Sequence, residues 1–195
     1  ADTAVELVAT TLGEANNIPL EKRFFPIIVL ITLLLGSFML PATSLVEEKQ
    51  RGTLQAIITT PTTLGETLVA KAALGIVLSV FMGTILPLLN QSLVENPALL
   101  IMLLILGAIF AATGGVLIGI FMKDITTLFA TIKGLGLFLY APAIIYLFPS
   151  IPQWISRLFP TYYIVSPITE VTQNGAGWSI IADEVIILIA LILAL

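Results

Sequence analysis

The sequence predicts an all-α integral membrane protein, a polytopic helical bundle, and three observations lead there. Apolar residues make up 58% of the 195 residues and charged residues only 10%, whereas an ordinary soluble domain has about a quarter of its residues charged. So few charges cannot cover a water-facing surface of this size, and the mean hydropathy of +1.09 points the same way. The apolar residues are also gathered into long runs, the clearest being FFPIIVLITLLLGSFMLPATSLV at 24–46, which holds no charge. Cysteine and histidine are both absent, which removes disulfides, thiolate chemistry, haem ligation and the usual zinc or copper sites. No basic patch marks a nucleic-acid surface, and the net charge of −4 sits in the loops.

Taken in order, residues 1–23, with Asn16, Asn17 and Pro19, read as the end of a polar region. They lack the basic start and short apolar core of a signal peptide. The run 24–46 would make roughly 34 Å of helix, enough for a ~30 Å hydrocarbon core with some tilt. Pro41 is expected to kink it. A charged loop at 47–71 follows, then spans at about 72–90, 98–122 and 134–148, joined by QSLVENP at 91–97 and KDITTLFATIK at 123–133. Prolines at 149, 152, 160 and 167 punctuate an outer re-entrant segment, 149–184. The last span, 185–195, has 11 residues, about 16 Å of helix or half a bilayer. With no initiator methionine at Ala1, the chain reads as a fragment.

Orientation follows the lysines and arginines of the loops. Lys49, Arg51, Lys71, Lys123 and Lys133 favour placing loops 47–71 and 123–133 in the cytoplasm, against Lys22, Arg23 and Arg157 on the other side. None of the ionisable residues sits near the middle of a predicted span. Such residues mark proton relays and ion pathways, so their absence counts against a secondary, ion-driven transporter.

Three features invite a function. Gly107, Ala111, Gly115 and Gly119 recur every four residues and line one helix face. Small residues let two backbones approach closely, either at a dimer interface or in helix packing inside one bundle. In the outer segment, Pro152 and Pro167 suit the first turns of two short interfacial helices and Gly175 suits a stop. Trp154, Ile155, Leu158 and Phe159 share an apolar face there, and every Trp and Tyr of the chain lies within 140–178. Trp154, Pro160 and Tyr163 could form an outer lid over an exit path, or the rings could be an ordinary aromatic belt at the membrane boundary.

The third feature is the charged elbow itself. The first span continues through EEKQR until Gly52 breaks it, and Leu54, Ile57 and Ile58 then fall at i, i+3 and i+4, giving a short helix with one apolar side. Pro61 forces a turn. Thr63 and Glu66 form a T-x-x-E capping box that starts the next long helix. The product is an apolar ridge on a charged mount.

These residues, EEKQRGTLQAIITTPTTLGETLVAK, resemble the E-x-x-R-G-T-L-x-x-L-x-x-(S/T)-P signature of type-2 ABC transporter permeases. Glu48, Arg51, Gly52, Thr53, Leu54, Thr60, Pro61 and Lys71 occupy matching positions. FPTYYIV is similar to that family's later P-x-x-Y element, here Pro160 and Tyr163, and FMKD at 121–124 to the short cytoplasmic exit after its fourth span. The resemblance covers about 24–195 and implies that the visible spans are the second to sixth of six, with residues 1–23 the tail of an extracellular region. It makes the elbow a coupling helix that docks on an ATP-binding subunit, with Glu47, Glu48, Arg51, Gly52, Thr53, Leu54, Ile57, Ile58 and Pro61 as the coupling residues.

It further implies a membrane-spanning permease subunit of an ABC-type exporter in the plasma membrane. Its partners would be an ABC ATPase subunit, a second permease copy or paralogue, and membrane lipids, with no nucleic acid. ATP and magnesium would be bound by the ATPase, leaving this chain without a cofactor, metal or catalytic residue. No G-x-x-x-x-G-K-(S/T) phosphate loop occurs in the chain, which agrees with that division of labour. The alternative is a non-transporting anchor or assembly factor that recruits a cytosolic partner through the same elbow.

Overall fold

The structure, a computed structural model, describes residues 20–53, 63–89, 96–148 and 151–195. The first helical path has three parts: α1 (Leu20–Leu33), a π-helical segment (Leu34–Met39) and α2 (Leu40–Arg51). Then come α3 (Leu64–Leu89), α4 (Pro97–Phe121), α5 (Ile125–Leu147), a 3₁₀ turn (Gln153–Leu158), α6 (Tyr162–Gln173) and α7 (Trp178–Ala194). Among the described residues, four stretches are long and apolar enough to cross a membrane: Phe24–Arg51, Gly65–Ile85, Pro97–Phe121 and Ile125–Leu147.

Local chemistry moves several expected boundaries. α1 starts at Leu20, inside the expected polar tail, and α3 starts at Leu64, where Thr63 and Glu66 cap it as anticipated. Residues 125–133 were expected in a loop and are helical instead. The Asp124 carboxylate accepts hydrogen bonds from the Thr127 backbone N–H and hydroxyl, both at 2.7 Å, and an N-cap of this kind outweighs the weak helix preference of the threonines beside it. The last helix begins at Trp178 and carries Asp183 and Glu184 in its first half, well before Val185. Its entry is set by Gly175, whose φ of +61° ends α6.

The disturbance expected around Pro41 takes the form of the π segment. Pro41 lies in the first turn of α2 and has no N–H to give, and the widened turn just before it lets the helical path continue. That segment is held on two sides. A Cβ on Gly115 of α4 would overlap the Phe38 carbonyl oxygen, and one on Gly119 would come within 3.1 Å of the Ala42 Cα. On the α3 side, a Cβ on Gly75 would lie 3.0 Å from the Gly36 carbonyl oxygen. The buried Ser37 hydroxyl donates to the Gly75 carbonyl at 3.2 Å. The Gly107–Gly119 stripe therefore packs inside the chain, against the first helical path, with Gly107 facing Leu33 and Ile164.

The outer segment is less superficial than its prolines suggest. Pro167 falls within α6 rather than in its first turn. Ile164, Val165, Ile168 and Val171 of α6 are buried and join the cores formed with α1, α4, α5 and α7. The Thr161 hydroxyl donates to the Leu139 carbonyl at 2.8 Å, and the Tyr146 hydroxyl donates to the Gln173 side chain. Between Leu139 and Tyr146 α5 rises by about 10 Å, so the chain leaves α5, folds back to that depth and climbs again as α6. This is a re-entrant helix, inserted in the bundle. The 3₁₀ turn is more superficial, exposing Trp154 and Leu158.

α3 is apolar beyond Glu66 and Lys71 save for a few hydroxyls, and exposes Val69, Leu74, Val77 and Phe81. In water such a face would have to be covered. Lipid tails are as apolar as these side chains, so in a bilayer the exposure carries no comparable cost.

Candidate functional site

The two ends of the bundle carry the sequence-predicted residues. At one end α2 closes on α3. Lys71 forms an ion pair with Glu48 at 2.7 Å, with side chains only 12% and 27% exposed, and also donates to the Ser44 hydroxyl. The second Glu48 oxygen is buried with no hydrogen-bond partner among the described residues. The elbow thus hangs from a hairpin pinned at its base, and the pin is worth most where water is scarce.

The neighbouring Lys49 reaches a third helix. Its ammonium donates to the carbonyls of Gly119 at 2.8 Å and Met122 at 3.2 Å, and to that of Ile120. A helix C-terminus leaves its last carbonyls unpaired and carries partial negative charge. A lysine there satisfies both needs and ties α2 to the end of α4.

The remaining elbow residues do less. Glu47 and Arg51 pair with each other at 3.9 Å in the open, where such pairs contribute little. Gly52 closes α2 in the left-handed region, with φ +70°, and the Thr53 hydroxyl donates to the Glu48 carbonyl at 3.2 Å. In the capping box, the Thr63 N–H donates to Glu66 at 2.9 Å and the Glu66 N–H to the Thr63 hydroxyl at 3.2 Å. Leu54, Ile57, Ile58 and Pro61 lie outside the described residues. Of the predicted anchors, Glu48 is the one built into the bundle, and its partners Lys71 and Ser44 complete the node. Lys49 entered the sequence reading only through its charge, because nothing local connects it to a carbonyl some seventy residues on.

Beside Lys49, the Asp124 carboxyl is held below the usual carboxylate range, first by the Thr127 backbone N–H and then by the Thr127 hydroxyl. Among the described residues no group of acidic side chains is placed to hold a metal ion.

At the opposite end, α5, the 3₁₀ turn and α6 surround a cavity of about 320 Å³. Pro142 and Tyr146 line it from α5, Trp154, Ser156 and Arg157 from the 3₁₀ turn, and Tyr162, Ser166, Thr169 and Glu170 from α6. The Glu170 carboxylate accepts a hydrogen bond from the Asn174 amide at 2.7 Å. No ion pair joins Arg157 to Glu170 among the described residues, although both face the cavity.

The three lid residues separate here. Trp154 lines the cavity, whereas the Tyr163 hydroxyl donates to the Arg157 carbonyl at 3.2 Å and braces the turn. The Pro160 carbonyl accepts the Tyr163 N–H at 3.3 Å where the chain enters α6. Tyr162 is the tyrosine on the cavity wall, set edge-on to Tyr163 at 5.3 Å between ring centres.

Neither a curated protein nor a solved structure matches the chain significantly. A family does, and it agrees with the resemblance carried by the elbow. Residues 2–195 match the Rv2686c-like family, described as fluoroquinolones export permease protein Rv2686c-like, and the chain therefore belongs to this family of ABC-type export permeases, multi-pass proteins of the cell membrane.

Proposed function

We propose that this chain is the membrane-spanning subunit of an ATP-driven exporter that moves amphipathic aromatic compounds, fluoroquinolones among them, out of the cytoplasm. A separate ATPase would bind and hydrolyse ATP with its magnesium ion, and a second permease copy or paralogue would complete the pathway. The family match over 2–195 carries the reading.

The pinned base of the elbow supports a mechanical role. An ATPase seated on 52–61 would push on α2 and α3 together, because the Glu48–Lys71 pair binds them at the base. Lys49 extends that unit to α4. α4 and α1 in turn share a core with Ile164 and Ile168 of α6. A movement begun at the elbow therefore has a packed route to the far cavity. The same reading places the elbow and the 122–124 turn in the cytoplasm, which suits the lysine and arginine distribution.

The test is reconstitution of the full chain with its ATPase in vesicles, as wild type and as Leu54→Asp and Ile57→Asp. The reading expects ATP-dependent movement of a fluoroquinolone by wild type, and loss of both transport and transport-stimulated hydrolysis in the variants. Variants that transport normally would remove the coupling role. A wild-type complex that moves nothing would favour an anchor or assembly factor.

A further inference from the structure

We propose that the cavity between α5, the 3₁₀ turn and α6 is a binding site for a flat aromatic zwitterion. Arg157 takes its carboxylate, Glu170 its ammonium, and Trp154 and Tyr162 flank its rings.

Size comes first. A cavity of about 320 Å³ lies at the lower end of the range for small-molecule sites, room for a drug-sized compound with two or three fused or linked rings. The walls offer large aromatic surfaces together with a few polar groups, the mixture such sites use for contact area and orientation.

Charge decides the class. An arginine and a glutamate facing one cavity would ordinarily neutralise each other, yet no ion pair joins them among the described residues. A simple cation would satisfy Glu170 and be repelled by Arg157, and a simple anion would meet the reverse. A ligand with both charges, held apart by a rigid ring system, satisfies both. Arg157 is exposed and can adjust to a carboxylate, for which its planar fork is suited. Glu170 is half-buried on the inserted helix and kept in place by Asn174, where an opposite charge is worth more than in water. Trp154 is 65% exposed, and a ligand seated in the cavity would cover it.

The site rests on the export reading for its role, since an exporter must release its cargo at this end, but it can be tested separately. The probe is a fluoroquinolone bearing a free carboxylate and a piperazinyl ammonium, together with its carboxyl ester and its N-acyl derivative. Binding to the full chain is measured by fluorescence in nanodiscs of phosphatidylglycerol. The zwitterion should bind about tenfold more tightly than either singly charged derivative, the size of one charge-assisted contact. Arg157→Gln should abolish its advantage over the ester, with Arg157→Lys restoring part of it. Glu170→Gln, which still accepts from Asn174, should abolish its advantage over the N-acyl derivative.

Equal binding of all three by wild type, or unchanged discrimination in both Gln variants, overturns the site. Displacement of the probe by added phosphatidylethanolamine also overturns it, because the occupant would then be a zwitterionic lipid headgroup. Export separates the two readings. ATP-driven export without charge discrimination at the cavity leaves the exporter standing and removes the site. Charge-selective binding with no ATP-driven movement does the opposite.

Discussion

The two ends of this bundle handle charge in opposite ways. At the elbow, Lys71 and Glu48 lie 2.7 Å apart and largely out of water, and Lys49 is consumed by carbonyls of α4. At the far end, Arg157 and Glu170 face a shared cavity without pairing. Paired, shielded charges fix the relative position of helices, and that suits a place where force enters. Charges left apart keep their attraction for something else, which suits a place where a ligand comes and goes.

Breaking the elbow pair should have the largest effect on stability. Lys71→Met leaves Glu48 half-buried without its partner. The expected loss is about 3 kcal/mol, at the lower end of the range for broken buried pairs because Glu48 keeps some contact with water. Thermal unfolding of the purified chain would measure it, and adding Glu48→Met should recover most of the loss. If the single and double variants melt alike, the pair is not what holds α2 to α3.

Removing the α4 clasp should be milder. Lys49→Met uncovers the last carbonyls of α4 and withdraws a charge from its negative end, a cost of about 1–2 kcal/mol. Its more telling effect lies in coupling. ATP hydrolysis by the complex should continue while its stimulation by substrate falls, because α4 no longer follows α2. Unchanged stimulation would confine Lys49 to a structural part.

The smallest effect concerns pH and the turn beside that clasp. The Asp124 carboxyl is held below its ordinary range when folded, so its charged form is favoured in the native state. The stabilisation is present above the ordinary carboxylate range and is lost as pH falls through that range towards the lowered native value. Asp124→Asn still caps α5 but should lose this pH dependence, a difference visible as converging unfolding curves in acid.

Much of the fold could be read from the sequence because it depends on short-range chemistry. The Thr63–Glu66 box needs only three residues of separation, and the first span only its unbroken apolar run. The α5 boundary has an equally local signal, but the threonines after Asp124 weigh towards a loop until the aspartate is recognised as a cap. The prolines and aromatics around α6 point to a short re-entrant or interfacial helix. The spacing of Ile164, Val165, Ile168 and Val171 on one helical face favours the inserted alternative. The Lys49 clasp and the pairing of Lys71 with Ser44 lie beyond any local signal, since helix crossings bring those atoms together. The choice of Tyr163 over Tyr162 has the same origin, because neighbouring residues on a helix point about 100° apart and only the packed fold tells which faces the cavity.

The crossing of α4 over the π segment limits how such a protein can move. Helices that meet through side chains can slide a little, each rotamer adjusting to its new neighbours, as in shear motions. At Gly115 and Phe38 backbone meets backbone, and there are no side chains to adjust. At this crossing the π segment and α4 must therefore move together, and the slack for any change of shape lies away from it, towards the helix ends.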